Sequence, residues 1–271
     1  NCNLPKDPRD FGMKGLFLMK KVLITVCGRA GSKGFKNKNL KVFCGQPLVY
    51  YTLAAAKLFA AQRPDLAVDV ALNTDSAMLV DIVAQKYPEI RHIERPEELC
   101  GDTVPKMAVF QQTLAEMEKL RGEQYDYLID LDITSPLRRA EDVKGAFTEK
   151  ESREDLDLVF SAAPARRNPY FNMVKLCGDH VEKVIESPFT ARQQAPDIYD
   201  LNASIYVFRR DFLAENKTGI LWDGKCGIYE MFDTGILDID SEEDYQLMEV
   251  IAGHLYENMP EFGNVKEKIR R

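Results

Sequence analysis

Short runs rich in β-branched residues alternate with longer segments of helical period along most of the chain. That alternation restricts the fold more than any other feature. Strand-like runs lie at Lys21–Cys27, Val68–Asn73, Tyr125–Leu131, Asp157–Ala162, Ala203–Phe208 and Gly235–Ile239, each bounded by turn-forming residues. Helix-like segments at Leu48–Ala61, Ser76–Lys86, Val104–Leu120 and Ala140–Lys150 separate the early strands. Pro47 opens the first of these helices, and Ser76 and Thr103 stand at or near N-cap positions. Strands separated by helices pair in parallel, so the expected fold is α/β with a doubly wound, mostly parallel sheet. The rhythm breaks at residues 170–200, where Tyr170–Leu176 and Val181–Ile185 flank a Gly178-Asp179 turn and read as a hairpin followed by a polar loop. The 271 residues, 45% of them hydrophobic, suffice for one large domain over 19–255 with that extension at about 165–200. Residues 1–18 read as an N-terminal appendage before Met19, and 256–271 as a C-terminal tail.

A net charge of −7 argues against a nucleic-acid or anionic-membrane surface, so the basic cluster Arg29, Lys33, Lys36 and Lys38 is a local exception that implies a local anion. Six cysteines without a CxxC pair, and three histidines without metal spacing, point to reduced thiols and a cytoplasmic protein. Lys20 and Lys21 interrupt the apolar stretch from Leu16 to Val26, which has no small-residue cleavage site and reads as neither signal peptide nor membrane span. The basic cluster belongs to "GRAGSKGFKNKN", Gly28–Asn39, a loop between the first strand and the first long helix, where open α/β sheets place ligands. Glycines at 28, 31 and 34 let backbone N–H groups face a ligand, and Arg29, Lys33 and Lys38 supply charge for phosphate oxygens. The spacing is G-x-x-G-x-x-G with no GK[ST], so it is neither the dinucleotide fingerprint nor a Walker A loop.

"RAGSKGFKNKNL" (Arg29–Leu40) and "QPLVYYTLAAA" (Gln46–Ala56) resemble the opening of the CMP-sialic acid synthetases and related sugar-acid cytidylyltransferases. "RPEELCGDT" (Arg95–Thr103), "DITSPLR" (Asp132–Arg138), "RQQAPDIYDLNASIY" (Arg192–Tyr206) and "LDIDSEEDY" (Leu237–Tyr245) follow in the same order. The resemblance implies an enzyme that joins the CMP of CTP to a nine-carbon 2-keto sugar acid, with Mg²⁺ and as a homodimer. It implies nucleotide-binding roles for Arg29, Ser32, Lys33, Lys38, Asn39 and Arg95, and sugar-side roles for Asp132, Arg192, Gln193 and Tyr206. Arg192 is the matched position for a bidentate grip on the sugar carboxylate. The family's metal falls on Asp238 and Asp240, which are two apart on the expected last strand and so project to one face, where they can share one Mg²⁺. With Arg29, Lys33 and Lys38 they form the catalytic set.

Two departures leave the sugar open. Asp132 stands where many sialic acid synthetases carry an amide, and an ionised carboxylate would repel a sugar acid. Phe171 stands about where some relatives hold a lysine, with Arg166 or Arg167 as stand-ins. Competing readings are a 3-deoxy-manno-octulosonate cytidylyltransferase, a P-loop phosphotransferase and a non-catalytic nucleotide-binding module. The absent GK[ST] counts against the second, and the combination of Asp238, Asp240 and Lys38 against the third.

Overall fold

The computed structural model describes residues 19–31, 35–232 and 238–270. In chain order the first half contains β1 (Lys20–Cys27), a small ribbon of β2 (Val42–Phe43) and β3 (Gln46–Pro47), α1 (Leu48–Gln62), β4 (Leu66–Thr74), α2 (Ala77–Lys86), β5 (Arg91–Glu94) and α3 (Lys106–Arg121). The second half contains β6 (Tyr127–Leu131), α4 (Ala140–Ser152), β7 (Leu158–Pro164), β8 (Val174–Cys177), β9 (His180–Lys183), β10 (Tyr199–Arg209), α5 (Arg210–Glu215), β11 (Cys226–Glu230), α6 (Glu242–Asn258) and α7 (Pro260–Arg270).

Seven strands form one sheet in the order β11-β7-β10-β6-β1-β4-β5. β1 pairs in parallel with β4 and β6, β4 with β5, and β7 with β11, while β10 runs antiparallel between β6 and β7. This is the mostly parallel α/β fold expected from the alternation. The five consecutive residues Val22–Val26 of β1 are buried, as a central strand covered on both faces requires. One face packs Ile24, Phe59, Ile129 and Phe147 between strands, α1 and α4; the other packs Leu23, Phe110, Leu128 and Phe208 beneath α3.

Local chemistry sets the boundaries. Ser76 caps α2, its Oγ accepting from the Leu79 N–H at 3.3 Å, as anticipated. Thr103 caps nothing: α3 begins at Lys106, because Pro105 keeps an extended backbone (ψ 134°) before the first helical residue. The strand expected at Gly235–Ile239 is corrected in its described part, since Asp238–Asp240 carries no strand pairing; Gly235, Ile236 and Leu237 lie outside the described residues. The sheet's outer strand is β11 instead, in register with β7 from Cys226 opposite Leu158 to Glu230 opposite Ala162.

β8 and β9 form the anticipated hairpin around Gly178-Asp179, with Gly178 at φ +64° as a tight turn demands. Its first strand starts later than expected, because the Asn168 carbonyl gathers the N–H groups of Phe171, Asn172 and Met173 and coils that segment into a turn. In the C-terminal segment set apart as a tail, α7 buries Phe262, Val265 and Ile269 in the cluster that contains α1. Among the described residues no helix is long and apolar enough to cross a membrane.

Candidate active site

Because β1, β4, β5 and β6 run parallel, their carboxyl ends share one edge of the sheet, the edge at which open α/β sheets take ligands. A cavity of about 430 Å³ opens there. Its walls come from the loop after β1 (Arg29, Lys38, Asn39), the segment after β5 (Arg95, Asp102), the start of α3 (Lys106), the turn after β6 (Asp132, Thr134) and the segment before α6 (Asp240).

The loop after β1 leaves the strand through Gly28. A Cβ there would lie 2.8 Å from both Ile133 Cδ1 and Leu79 Cδ2, so the backbone passes where only glycine fits. Asn37 takes φ +58°, which asparagine tolerates better than most residues, and the chain then coils through Lys38–Leu40. That turn buries Asn39, whose amide donates to the Arg29 carbonyl at 3.2 Å, and brings Lys38 Nζ to 2.9 Å from Asp240 Oδ1. Arg29 donates to the Cys100 carbonyl at 3.2 Å and pairs with Asp102 at 2.5 Å. Ser32 and Lys33, the other expected phosphate-loop residues, lie outside the described residues.

Arg95 is buried rather than a surface charge, donating to Asn73 Oδ1 at 2.7 Å and to the Asn73 carbonyl at 3.2 Å. Asn73 is held in turn by Thr113 Oγ1 at 2.9 Å and Gln112 Oε1 at 2.5 Å, so this guanidinium is fixed from two elements.

Asp132 follows β6 directly and folds back toward its own turn: its Oδ1 accepts from the Thr134 N–H at 2.9 Å and the Thr134 hydroxyl at 2.8 Å. Its Oδ2 receives Lys106 Nζ at 2.5 Å. Burial alone would raise its pKa, but the Lys106 charge and the Thr134 bonds hold the carboxyl well below the usual carboxylate range. Partial desolvation disfavours the Lys106 ammonium; Asp132 and Asp130 outweigh it and hold that group well above its ordinary pKa. Asp130 is buried under the cleft, accepts from Thr25 Oγ1 at 3.0 Å, and is pushed up to about 6 by burial and by Asp132, against the pull of Lys106.

Asp238 and Asp240 flank Ile239, which is buried and donates its N–H to the Thr134 carbonyl at 3.2 Å. The two acids therefore reach the cleft without a strand beneath them. Asp238 accepts from Ser135 Oγ at 2.6 Å and is pushed up to about 6, first by burial and then by the charge of Asp132. Asp240 is 74% exposed and faces Lys38.

The sugar-side expectations divide. Tyr206 is buried below Lys106, whose Nζ lies 5.9 Å from its ring centroid. Arg192 and Gln193 line a second cavity of about 370 Å³ with Asn168, Asp197 and Tyr199, and the Arg192 guanidinium donates to the Ala165 carbonyl at 2.9 Å. Within one chain they do not join the cleft, because the loop that carries them follows the hairpin rather than the sheet edge.

Three contributors carried no assigned role at the sequence level. Lys106 is a lone lysine after a proline, and its only signal was its place at a helix start facing the strand ends. Asp130 looked like one more strand residue. Arg138 ends the "DITSPLR" motif and is buried, donating to the Asp132 carbonyl (3.0 Å), the Ser204 carbonyl (2.8 Å), Ser204 Oγ (2.9 Å) and Thr52 Oγ1 (3.1 Å). Ser204 reaches it because β10 is irregular between Leu201 and Tyr206, with Ala203 at φ +51°; the "NASIY" motif is this bulge. Cations on one wall and carboxylates on the floor suit a polyanionic ligand bound with its charge partly offset by a hard metal ion.

A family model described as Cytidylyltransferase matches residues 23–259. The chain is 37% identical over 233 residues to a CMP-N,N'-diacetyllegionaminic acid synthase of Campylobacter jejuni subsp. jejuni, covering 86% of this chain and 95% of that protein. It is 36% identical, with the same coverage, to the post-translational flagellin modification protein B of Campylobacter coli. An N-acylneuraminate cytidylyltransferase of Streptococcus agalactiae is 26% identical over 242 residues, 88% of this chain and 54% of that one. Among solved structures, a CMP:2-keto-3-deoxy-manno-octonic acid synthetase complexed with CTP superposes with a TM-score of 0.63 at 17% identity, covering 87% of this chain and 99% of that one, a likeness of fold.

Proposed function

Since the chain belongs to the cytidylyltransferase family, we propose that it transfers CMP from CTP to a nine-carbon 2-keto-3-deoxy sugar acid of the N-acylneuraminate or legionaminate kind, releasing pyrophosphate. One observation carries this reading: Arg29, Lys38 and Arg95 converge on the same cavity as Asp132 and Asp240, with Asp238 beside Asp132. The three cations offset most of the charge of a triphosphate, and phosphate oxygens would exchange with Asp102 and Asp240, the present partners of Arg29 and Lys38. The sugar hydroxyl bonds to the α-phosphorus as the bond to pyrophosphate breaks, and positioned positive charge offsets the charge developing on the leaving group.

Magnesium fits the acids present. Mg²⁺ binds through one or two carboxylates and completes its shell with water and substrate phosphates. Asp238 and Asp240 would hold it, and the negative charge crowded on Asp238 by Asp132 and Asp240 is what a dication relieves. Among the described residues no group of three or more His, Cys, Asp or Glu is arranged to hold a metal ion, so water and substrate phosphates would have to complete the shell. When bound, the ion would offset charge on the phosphates. Free thiols at Cys27, Cys44, Cys100, Cys177 and Cys226 suit a reducing cytoplasm, where CTP is made.

Pyrophosphate release tests the reading. With CTP and a panel of sugar acids, N-acetylneuraminate, N,N'-diacetyllegionaminate and 3-deoxy-manno-octulosonate among them, release is expected to require CTP and a nine-carbon acid together. Release with the eight-carbon acid alone would move the chain to the sister activity, and no release with any acid would reject it as a sugar-acid cytidylyltransferase.

The assembly we propose is a homodimer through the hairpin. A two-stranded hairpin is marginal by itself in water, yet β8 and β9 leave Val174, Leu176 and Val181 exposed, Leu176 by 78%, with Tyr199 and Leu201 of β10 also exposed. The Tyr170 ring packs on Phe189, with the ring centroids 6.2 Å apart. Leu176→Asp is expected to shift sedimentation from dimer to monomer and to lower activity per chain. A fully active wild-type monomer across a dilution series would reject the dimer.

A further inference from the structure

We propose that Asp75 is a positioning residue for the nucleotide: it fixes the peptide between Arg29 and Ala30, so that the loop after β1 presents Arg29 to the triphosphate; this rests on the reading given above. That peptide is held at both ends. Its carbonyl accepts from the Asn39 amide at 3.2 Å, and its N–H donates to Asp75 Oδ1 at 2.7 Å. A planar group with both polar atoms engaged cannot rotate without breaking a bond, and the Cα of Arg29 is held with it. The Arg29 side chain is thereby aimed. It lines the cavity and reaches the Cys100 carbonyl and Asp102, whereas Asp75 is not among the residues that line the cavity and acts from behind the loop.

A rigid turn delivers the acid. Asp75 follows β4 between Thr74 and Ser76, both buried. The Ser76 N–H donates to Thr74 Oγ1 at 3.0 Å, Ser76 Oγ caps α2, and the Thr74 carbonyl accepts from the Arg95 N–H at 3.2 Å. One step back, the Gly28 N–H donates to the Asn73 carbonyl at 3.1 Å, which carries the β1–β4 pairing to the mouth of the loop. Asp75 therefore leaves the sheet beside the peptide it holds. It also reaches the segment after β5, where burial and then the Asp75 charge push the Cys100 thiol up. A carboxylate near a phosphate site acts in two opposed ways, since its charge repels the anion through space while its hydrogen bond orders the loop before the anion arrives. The ordering wins here: Asp75 is exposed, so water and salt screen its charge, but the short bond to a backbone N–H is local.

The test is calorimetric binding of CTP with magnesium to the full chain, with no sugar acid present. Asp75→Ala is expected to raise the Kd for CTP at least about fivefold, the scale on which one hydrogen bond to a charged group is felt. Asp75→Asn keeps an oxygen acceptor for the Ala30 N–H and is expected to stay within about twofold of wild type. Most of the loss caused by alanine is expected to vanish in an Arg29→Met background, because the side chain that the clamp aims is gone. Unchanged or tighter CTP binding by Asp75→Ala would overturn the assignment, as would an equal loss in the alanine and asparagine variants or the same loss with and without Arg29. A lower urea midpoint for Asp75→Ala with CTP affinity intact would assign the acid to the turn before α2 alone and overturn it too. Wild-type protein that binds no CTP would overturn the underlying reading, and this proposal with it, before any variant is made.

Discussion

Asp238→Asn is expected to lower turnover by at least about a hundredfold, the scale on which loss of one group that stabilises transition-state charge is felt, while leaving the fold as stable as before or more so. The activity loss follows from removing a charged ligand for the proposed magnesium ion. The stability gain follows from the sign of the pKa shift. Burial and the Asp132 charge hold the Asp238 carboxyl at about 6, above its ordinary 3.8, so the folded chain keeps this proton more tightly than the unfolded one. Stability from this group is therefore lost as pH rises from about 4 through 6, and above that range the ionised carboxylate is a net cost. Two pKa units correspond to at most about 3 kcal/mol, and partial exposure of Asp238 makes the real figure smaller. Asparagine removes the penalty, so urea denaturation at pH 8 should show an unchanged or higher midpoint, with the gain shrinking toward pH 4. A residue that costs stability and supports activity is placed for function. Turnover near wild type with unchanged magnesium dependence would remove Asp238 from the metal site, and a large loss of stability would make it a structural residue.

Arg138→Met is the substitution expected to cost the most stability, about 3–5 kcal/mol, because it removes one partner from a buried, hydrogen-bonded charge cluster. The guanidinium bridges three elements, joining the Asp132 carbonyl after β6, Ser204 in the bulge of β10 and Thr52 in α1. Burial pulls its pKa down to about 10, against the raising effect of Asp132 and Asp130, so it stays charged at neutral pH. Methionine fills much of the volume but leaves those oxygens with fewer partners, and buried polar groups left unpaired are expensive. Arg138→Lys should recover part of the loss, since an ammonium keeps the charge without the planar fork. Equilibrium unfolding of the three proteins decides it, and a loss below about 1 kcal/mol for methionine would show that the bridge is dispensable.

Sheet and helices were legible where local pattern and tertiary environment agree. Val22–Val26 is an unbroken β-branched and apolar run because it is covered on both faces, and α1 follows Pro47 because proline favours a helix start. β5 was not legible: "RHIE" buries only Ile93 and leaves its other side chains exposed at the sheet edge, so it carries one apolar residue where a strand signal needs several. β11 was missed for the opposite reason. "CGIYE" is short and glycine-bearing, and the more apolar stretch after it drew the assignment.

In the site, residues close together in one loop could be read as a unit. Glycine spacing and charge marked the loop after β1, and the same segment delivers Arg29, Lys38 and Asn39 to the cleft. Contacts between distant segments could not be read so. Lys106 meets Asp132 because α3 starts beside the end of β6, and Asp238 meets Ser135 across 103 positions; neither pair leaves a local trace in the sequence. Arg192 shows the converse, a residue matched by motif whose position depends on how the hairpin extension packs.

The most direct test of the whole account is phosphorus NMR of the wild-type protein incubated with CTP, magnesium and N,N'-diacetyllegionaminic acid. The account predicts that the three CTP resonances are replaced by one phosphodiester resonance, from the CMP-sugar, and a pyrophosphate resonance in equal molar amount. Formation of CDP with a phosphorylated sugar would assign the chain a different bond cleavage, and CTP left intact with this acid, with N-acetylneuraminate and with other nine-carbon acids would contradict the account.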